Sequence, residues 1–77
     1  MIGINPVDMD VIEWADKMVP FLLPYGGFTT KLEDPERWQD WASAVIMINN
    51  EWQGTAPNPF QFTDWRDWAE RFLETAN

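Results

Sequence analysis

The chain has no cysteine and no histidine among its 77 residues. The first absence removes disulfides and thiolate metal sites. The second removes imidazole-based zinc sites, a Ser-His-Asp triad and a histidine general base. Basic residues are scarce as well: five Lys and Arg stand against thirteen Asp and Glu, for a net charge of −8. That charge repels a phosphate backbone or an anionic leaflet within the screening length, so neither nucleic acid nor a membrane is expected as a partner. No apolar run approaches the roughly 18 residues needed to span a bilayer. Met1-Ile2-Gly3-Ile4-Asn5 lacks the basic start and long apolar stretch of a signal peptide, so synthesis in the cytoplasm is expected. A chain of this length makes a single domain, 1–77, near the size at which one core supplies only a few kcal/mol. With no disulfide and no expected metal, the remaining route to added stability is association with a partner or with copies of itself.

What the chain does have is tryptophan, six in all, and a Trp-Ala pair at positions 14, 41 and 68, a constant step of 27 residues. The fullest version is Asp64-Trp65-Arg66-Asp67-Trp68-Ala69-Glu70-Arg71-Phe72. An earlier stretch, Glu36-Arg37-Trp38-Gln39-Asp40-Trp41-Ala42, shares its Trp-x-x-Trp-Ala core, and Glu13-Trp14-Ala15 is a fainter copy. With only Trp-Ala shared by all three, the register suggests a duplicated helix unit without establishing a solenoid.

Hydrophobic periodicity predicts three helices, at about 6–19, 35–52 and 64–75, packed as a compact all-α three-helix bundle. Asn5-Pro6 and Asp34-Pro35 each offer a cap followed by a proline at the first helical position, and Thr63 or Asp64 caps the last helix with Phe62 as a staple. Pro20 is expected to stop or kink the first helix. Phe21-Leu22-Leu23-Pro24-Tyr25 then reads as an apolar connector, either a flap closing one end of the core or a surface for a partner, and Gly26-Gly27 permits the reversal after it. Phe28 to Leu32 reads as loop, and Gln53-Gly54 is expected to end the second helix. Opposite-charge pairs four residues apart are expected at Glu33/Arg37, Arg66/Glu70 and Asp67/Arg71.

Catalysis is not expected. Acid/base work needs one carboxyl in an apolar pocket beside another kept ionised, whereas Asp8, Asp10 and Glu13 fall on the face that periodicity assigns to water. Their spacing lacks the glycine and the twelfth-position Glu of a calcium loop, and Gly26-Gly27 is no phosphate cradle. No cofactor is implied. Tryptophan is enriched at binding hot spots and in cores alike. Trp14, Trp41 and Trp68 lie on inner faces and are assigned to the core. Trp38, Trp52 and Trp65, near stripe edges or helix ends, stand between core and interface. The candidate interface therefore comprises Ile12, Trp38, Ile46, Met47, Trp52, Trp65 and Leu73.

Leu32-Glu33-Asp34-Pro35-Glu36-Arg37-Trp38-x-x-Trp41-Ala42, followed by Asn58-Pro59-Phe60-x-Phe62-x-Asp64-Trp65-Arg66-Asp67-Trp68-Ala69-Glu70-Arg71-Phe72, resembles small proteins encoded among the virion structural genes of tailed bacteriophages. The likeness spans roughly residues 20 to 75. It implies a context, the phage particle, and a larger capsid, portal/neck or tail protein as partner, and it carries no site residues with it. The competing expectation is a soluble acidic regulatory or inhibitory protein covering a basic site on a host enzyme.

Overall fold

A computed structural model describes residues 3–76 of the chain, so Met1, Ile2 and Asn77 lie outside the described residues, including the start of the segment weighed as a leader. The fold is all-α: helices α1 (Val11–Leu22), α2 (Trp38–Met47), α3 (Asn50–Thr55) and α4 (Trp65–Ala76), with 3₁₀ turns at Pro35–Arg37 and Pro59–Gln61. The described residues thus hold four α-helices where three were expected.

The extra helix comes from a break in the predicted 35–52 segment. Asn49 is extended, with φ −137° and ψ 121°, and its side-chain oxygen accepts from the Glu51 amide at 2.9 Å, which starts α3. An unbroken helix of that length would run about 27 Å at 1.5 Å per residue, whereas the longest extent of the molecule is 26 Å. Turning at Asn49 keeps the chain on the globule and lets α3 pack across α4. Gly54 does not end this helix. It lies within α3, and termination falls at Ala56, whose extended backbone (ψ 147°) is what the following Pro57 requires.

The first helix also differs from expectation. Asn5 does accept from the Val7 amide at 3.1 Å, but it forms a turn, and Asp10 is the true cap, accepting from the Glu13 amide at 2.8 Å. Pro20 does not stop α1, which continues to Leu22. The amide that Pro20 lacks would have bonded the Asp16 carbonyl. Asp16 and Pro20 are both exposed, so water can take that carbonyl, and fully buried Leu22 anchors the last turn. The reversal follows at Gly26 and Gly27, with φ of 107° and 74°. Residues 28–34 are loop, held inward by buried Phe28 and Leu32. Tyr25 lies over Trp52 at 4.9 Å between ring centroids.

The 27-residue register is a real packing unit. Trp14, Trp41 and Trp68 are all buried, and so are Ala15, Ala42 and Ala69 beside them and Met18, Val45 and Phe72 one turn on. Each of the three indoles also fastens the segment that precedes its helix. Trp14 Nε1 donates to the Ile4 carbonyl at 2.6 Å, Trp41 Nε1 to Thr30 at 3.0 Å and Trp68 Nε1 to Pro57 at 2.8 Å. The spacings are 10, 11 and 11 residues. A buried indole needs a partner for its N–H, and a connector carbonyl needs a donor, so one bond satisfies both. The small alanine lets the neighbouring elements approach, and the rings meet at Trp14, which lies 5.8 Å from Trp41 and 6.2 Å from Trp68, edge to face.

One further contact, made by Arg66, ties the start of the chain to its last helix. Arg66 caps Trp65, with Cζ 4.8 Å from the ring centroid, and donates from Nη2 to the Met9 carbonyl at 2.6 Å. Arg37 pairs with Asp40 at 3.5 Å and Arg71 with Glu74 at 4.0 Å, one position short of the four-residue pairs expected with Glu33 and Asp67. Arg66, directed to the Met9 carbonyl, takes a backbone partner in place of Glu70.

Candidate protein-docking face

From Trp41 to Thr63 the chain carries a single charged residue, Glu51, although it has 18 in all. That gap covers most of α2, all of α3 and the connector into α4; a second stretch, Met18 to Thr30, carries no charge either. The uncharged polar groups from Trp41 to Thr63 are the amides Asn49, Asn50, Gln53, Asn58 and Gln61 and the hydroxyls of Ser43, Thr55 and Thr63. Interface cores are depleted of charge in the same way, because a charge loses more hydration on docking than one contact returns.

Hydrogen bonds lock these elements together. Gln39 reaches across from α2 and donates from Nε2 to the Phe62 carbonyl at 2.9 Å and to Pro59 at 3.3 Å. Gln53 donates to the Met47 carbonyl at 3.1 Å, bridging the α2/α3 break, and Asn58 accepts from the Phe60 amide at 3.0 Å. Between α2 and the connector these bonds leave a shallow groove of about 270 Å³, walled by Ile46, Met47, Ala56 and Pro59 and edged by Ser43, Gln53 and Asn58. Met47 is 65% exposed at its rim, and Phe60, next in the chain after Pro59, is 56% exposed. Ile46 is half-buried.

The other predicted interface residues scatter. Trp52 is a correction: it is 4% exposed and packs edge to face on Phe72 at 5.1 Å, so it belongs to the core. The α2/α3 break brings it there, because α3 crosses α4. Trp38 and Trp65 are half-buried against core rings, Trp38 at 6.3 Å from Trp68 and Trp65 at 5.6 Å from Trp14. Ile12 and Leu73 are half-buried against the core. Only Ile46 and Met47 come together on one feature. Phe60 was missed, although it stands in the charge gap, a signal present in the sequence. Val7 and Leu23 are also exposed, at 53% and 48%, outside that gap.

A larger groove, about 480 Å³, lies beside Trp41 and mixes Lys31 and Arg37 with Glu33, Asp34 and Asp40. Leu32, Trp41 and Ala44 give it an apolar wall, but its charges of both signs hold water, so the smaller groove, which has no charged side chain in its lining, is the better docking feature. Asp8, Asp10 and Glu13 are exposed, as the periodicity predicts, and no charged side chain among the described residues is buried. No helix among the described residues is long and apolar enough to cross a membrane.

No protein-family model matches the chain, and neither a curated protein nor a solved structure matches it.

Proposed function

We propose that the chain is a non-enzymatic structural component of a bacteriophage virion that docks onto a larger capsid, portal/neck or tail protein. The observation that carries the docking is the exposed Met47 at the rim of a groove with no charged side chain in its lining, on a molecule of net charge −8. The phage context comes from the sequence resemblance around Trp38 and Trp65. A symmetric particle repeats its docking sites, so each copy needs only one modest interface, which suits a chain of this size.

Mass spectrometry of purified particles is expected to find the protein in stoichiometric amounts, and its absence would sink the virion reading. Met47→Glu is expected to leave the fold intact and reduce incorporation into particles. Full incorporation would move the interface elsewhere. Docking through an uncharged face should also change little between low and high salt. Binding that collapses with salt would shift the role to the acidic surface of α1 and favour the soluble inhibitor of a basic host site.

A further inference from the structure

With no cysteine, the chain carries its sulfur in four methionines. The fold treats the three described ones differently. Met18 is fully buried, and Gly3 lies so close over its thioether that a Cβ there would come within 3.2 Å of Sδ. Met9 is partly buried against the core, with its carbonyl held by Arg66. Met47, the last residue of α2, is 65% exposed. The bond that bridges the α2/α3 break uses the Met47 backbone carbonyl, which accepts from Gln53 Nε2 at 3.1 Å, and leaves the thioether outside the core.

We propose that Met47 is a sulfoxidation site, at which a peroxide turns the apolar rim of the groove polar while the fold stays in place. A lone pair on Sδ attacks one peroxide oxygen. The S–O bond forms as the O–O bond breaks, and the departing hydroxide takes the proton of the transferred oxygen and leaves as water. Sulfur gives up an electron pair and the peroxide accepts it, so no further reactant is needed. The attack requires an open sulfur, which Met47 has and Met18 lacks. The surroundings magnify the result. Ile46, Ala56 and Pro59 wall the groove and no charged side chain lines it, so the new oxygen adds a strong dipole to a largely apolar lining. Ser43 and Asn58 at the edge supply donors for it. The Oδ1 of Asn58 is already taken by the Phe60 amide, and its amide nitrogen remains to donate. Oxidation thereby converts a surface that sheds water into one that holds it.

The test is exposure of the full chain to hydrogen peroxide, followed by peptide mapping with mass spectrometry to time the oxygen gained at each methionine. Met47 is expected to react within about threefold of the rate of N-acetylmethionine amide, and Met18 at least about tenfold more slowly than Met47, because its sulfur is reached only when the core opens. In urea the rates at Met47 and Met18 should converge. The chain oxidised at Met47 should keep its helicity by circular dichroism, elute earlier from a phenyl hydrophobic-interaction column, and return to its original elution after treatment with methionine sulfoxide reductases. Met47→Leu, which keeps an apolar side chain of similar volume without the sulfur, should lose most of that shift at the same peroxide dose. Met47 reacting no faster than Met18 in the folded chain, loss of helicity with the oxygen at Met47, or a full elution shift in Met47→Leu would overturn the proposal. None of these readouts involves a particle or a partner, so oxidation at Met47 and docking of the chain fail separately.

Discussion

The three indole bonds make a sharp prediction, because they are the same device used three times. Trp68→Phe keeps an aromatic ring stacked on Phe72, at 5.0 Å between centroids, but deletes the N–H that holds the Pro57 carbonyl at 2.8 Å. A lost hydrogen bond to a partly buried carbonyl costs about 1 kcal/mol, and exchanging indole for the smaller phenyl adds about 1–2 kcal/mol of cavity and lost contact. The sum, about 2–3 kcal/mol, is a large fraction of the roughly 4–12 kcal/mol total expected for 77 residues at 0.05–0.15 kcal/mol each. At about 4–8 °C per kcal/mol, the melting midpoint should fall by ~10–20 °C. Trp68→Ala, which removes the whole ring from a site 1% exposed, should cost ~3–5 kcal/mol or more and leave the chain near its folding threshold. Urea titration followed by far-ultraviolet circular dichroism reads the free energy directly, and amide exchange over residues 56–62 reports whether the connector loosens. Because Trp14 and Trp41 make the equivalent bonds to Ile4 and Thr30, their Phe variants should cost amounts within about 1 kcal/mol of Trp68→Phe. If one of the three costs all and the other two nothing, the packing unit is an accident of spacing. If Trp68→Ala melts like the parent, Trp68 is not in the core at all.

Two smaller predictions bear on the turns that place these helices. Gly3 has φ of +92°, and a Cβ there would collide with Leu73 Cδ2 and lie 3.2 Å from Met18. Gly3→Ala should therefore cost about 2–3 kcal/mol in thermal melting, against about 1 kcal/mol for Gly26→Ala, whose φ is also positive but whose Cβ meets nothing. Equal costs would show that the Leu73 contact does not matter. Asn49→Ala removes the oxygen that starts α3 and should cost ~1 kcal/mol, with increased solvent access of Trp52 to a fluorescence quencher. Unchanged quenching would mean that α3 holds Trp52 without its cap.

Much of the fold is written in local chemistry. Asp34-Pro35 and Asp64 start helical segments because an Asx oxygen can take the free amide two residues on, and both do so, at 3.0 Å. The inward faces of α1 and α4 follow from three- and four-residue spacing, so Trp14, Met18, Trp68 and Phe72 were identifiable as core from the sequence. The misplacements share one cause. Pro20 and Gly54 are read by their intrinsic preferences, but what decides each is its surroundings: exposure lets water take the Asp16 carbonyl at Pro20, and Pro57 sets the helix end past Gly54. Arg66 and Arg71 likewise chose partners by what the folded chain brought near.

The proposed docking face divides along the same line. Sequence alone determined its charge: one ionised residue between Trp41 and Thr63 holds in any conformation of the chain. Only tertiary structure decided that α2 breaks after Met47, that Trp52 turns inward onto Phe72, and that the connector comes back along α2 to make a groove beside Ile46. Periodicity encodes the face each residue takes on its own helix. Which faces meet depends on where helices stop and what crosses them, and those are set by contacts between residues far apart in the chain, such as Gln39 with the Phe62 carbonyl.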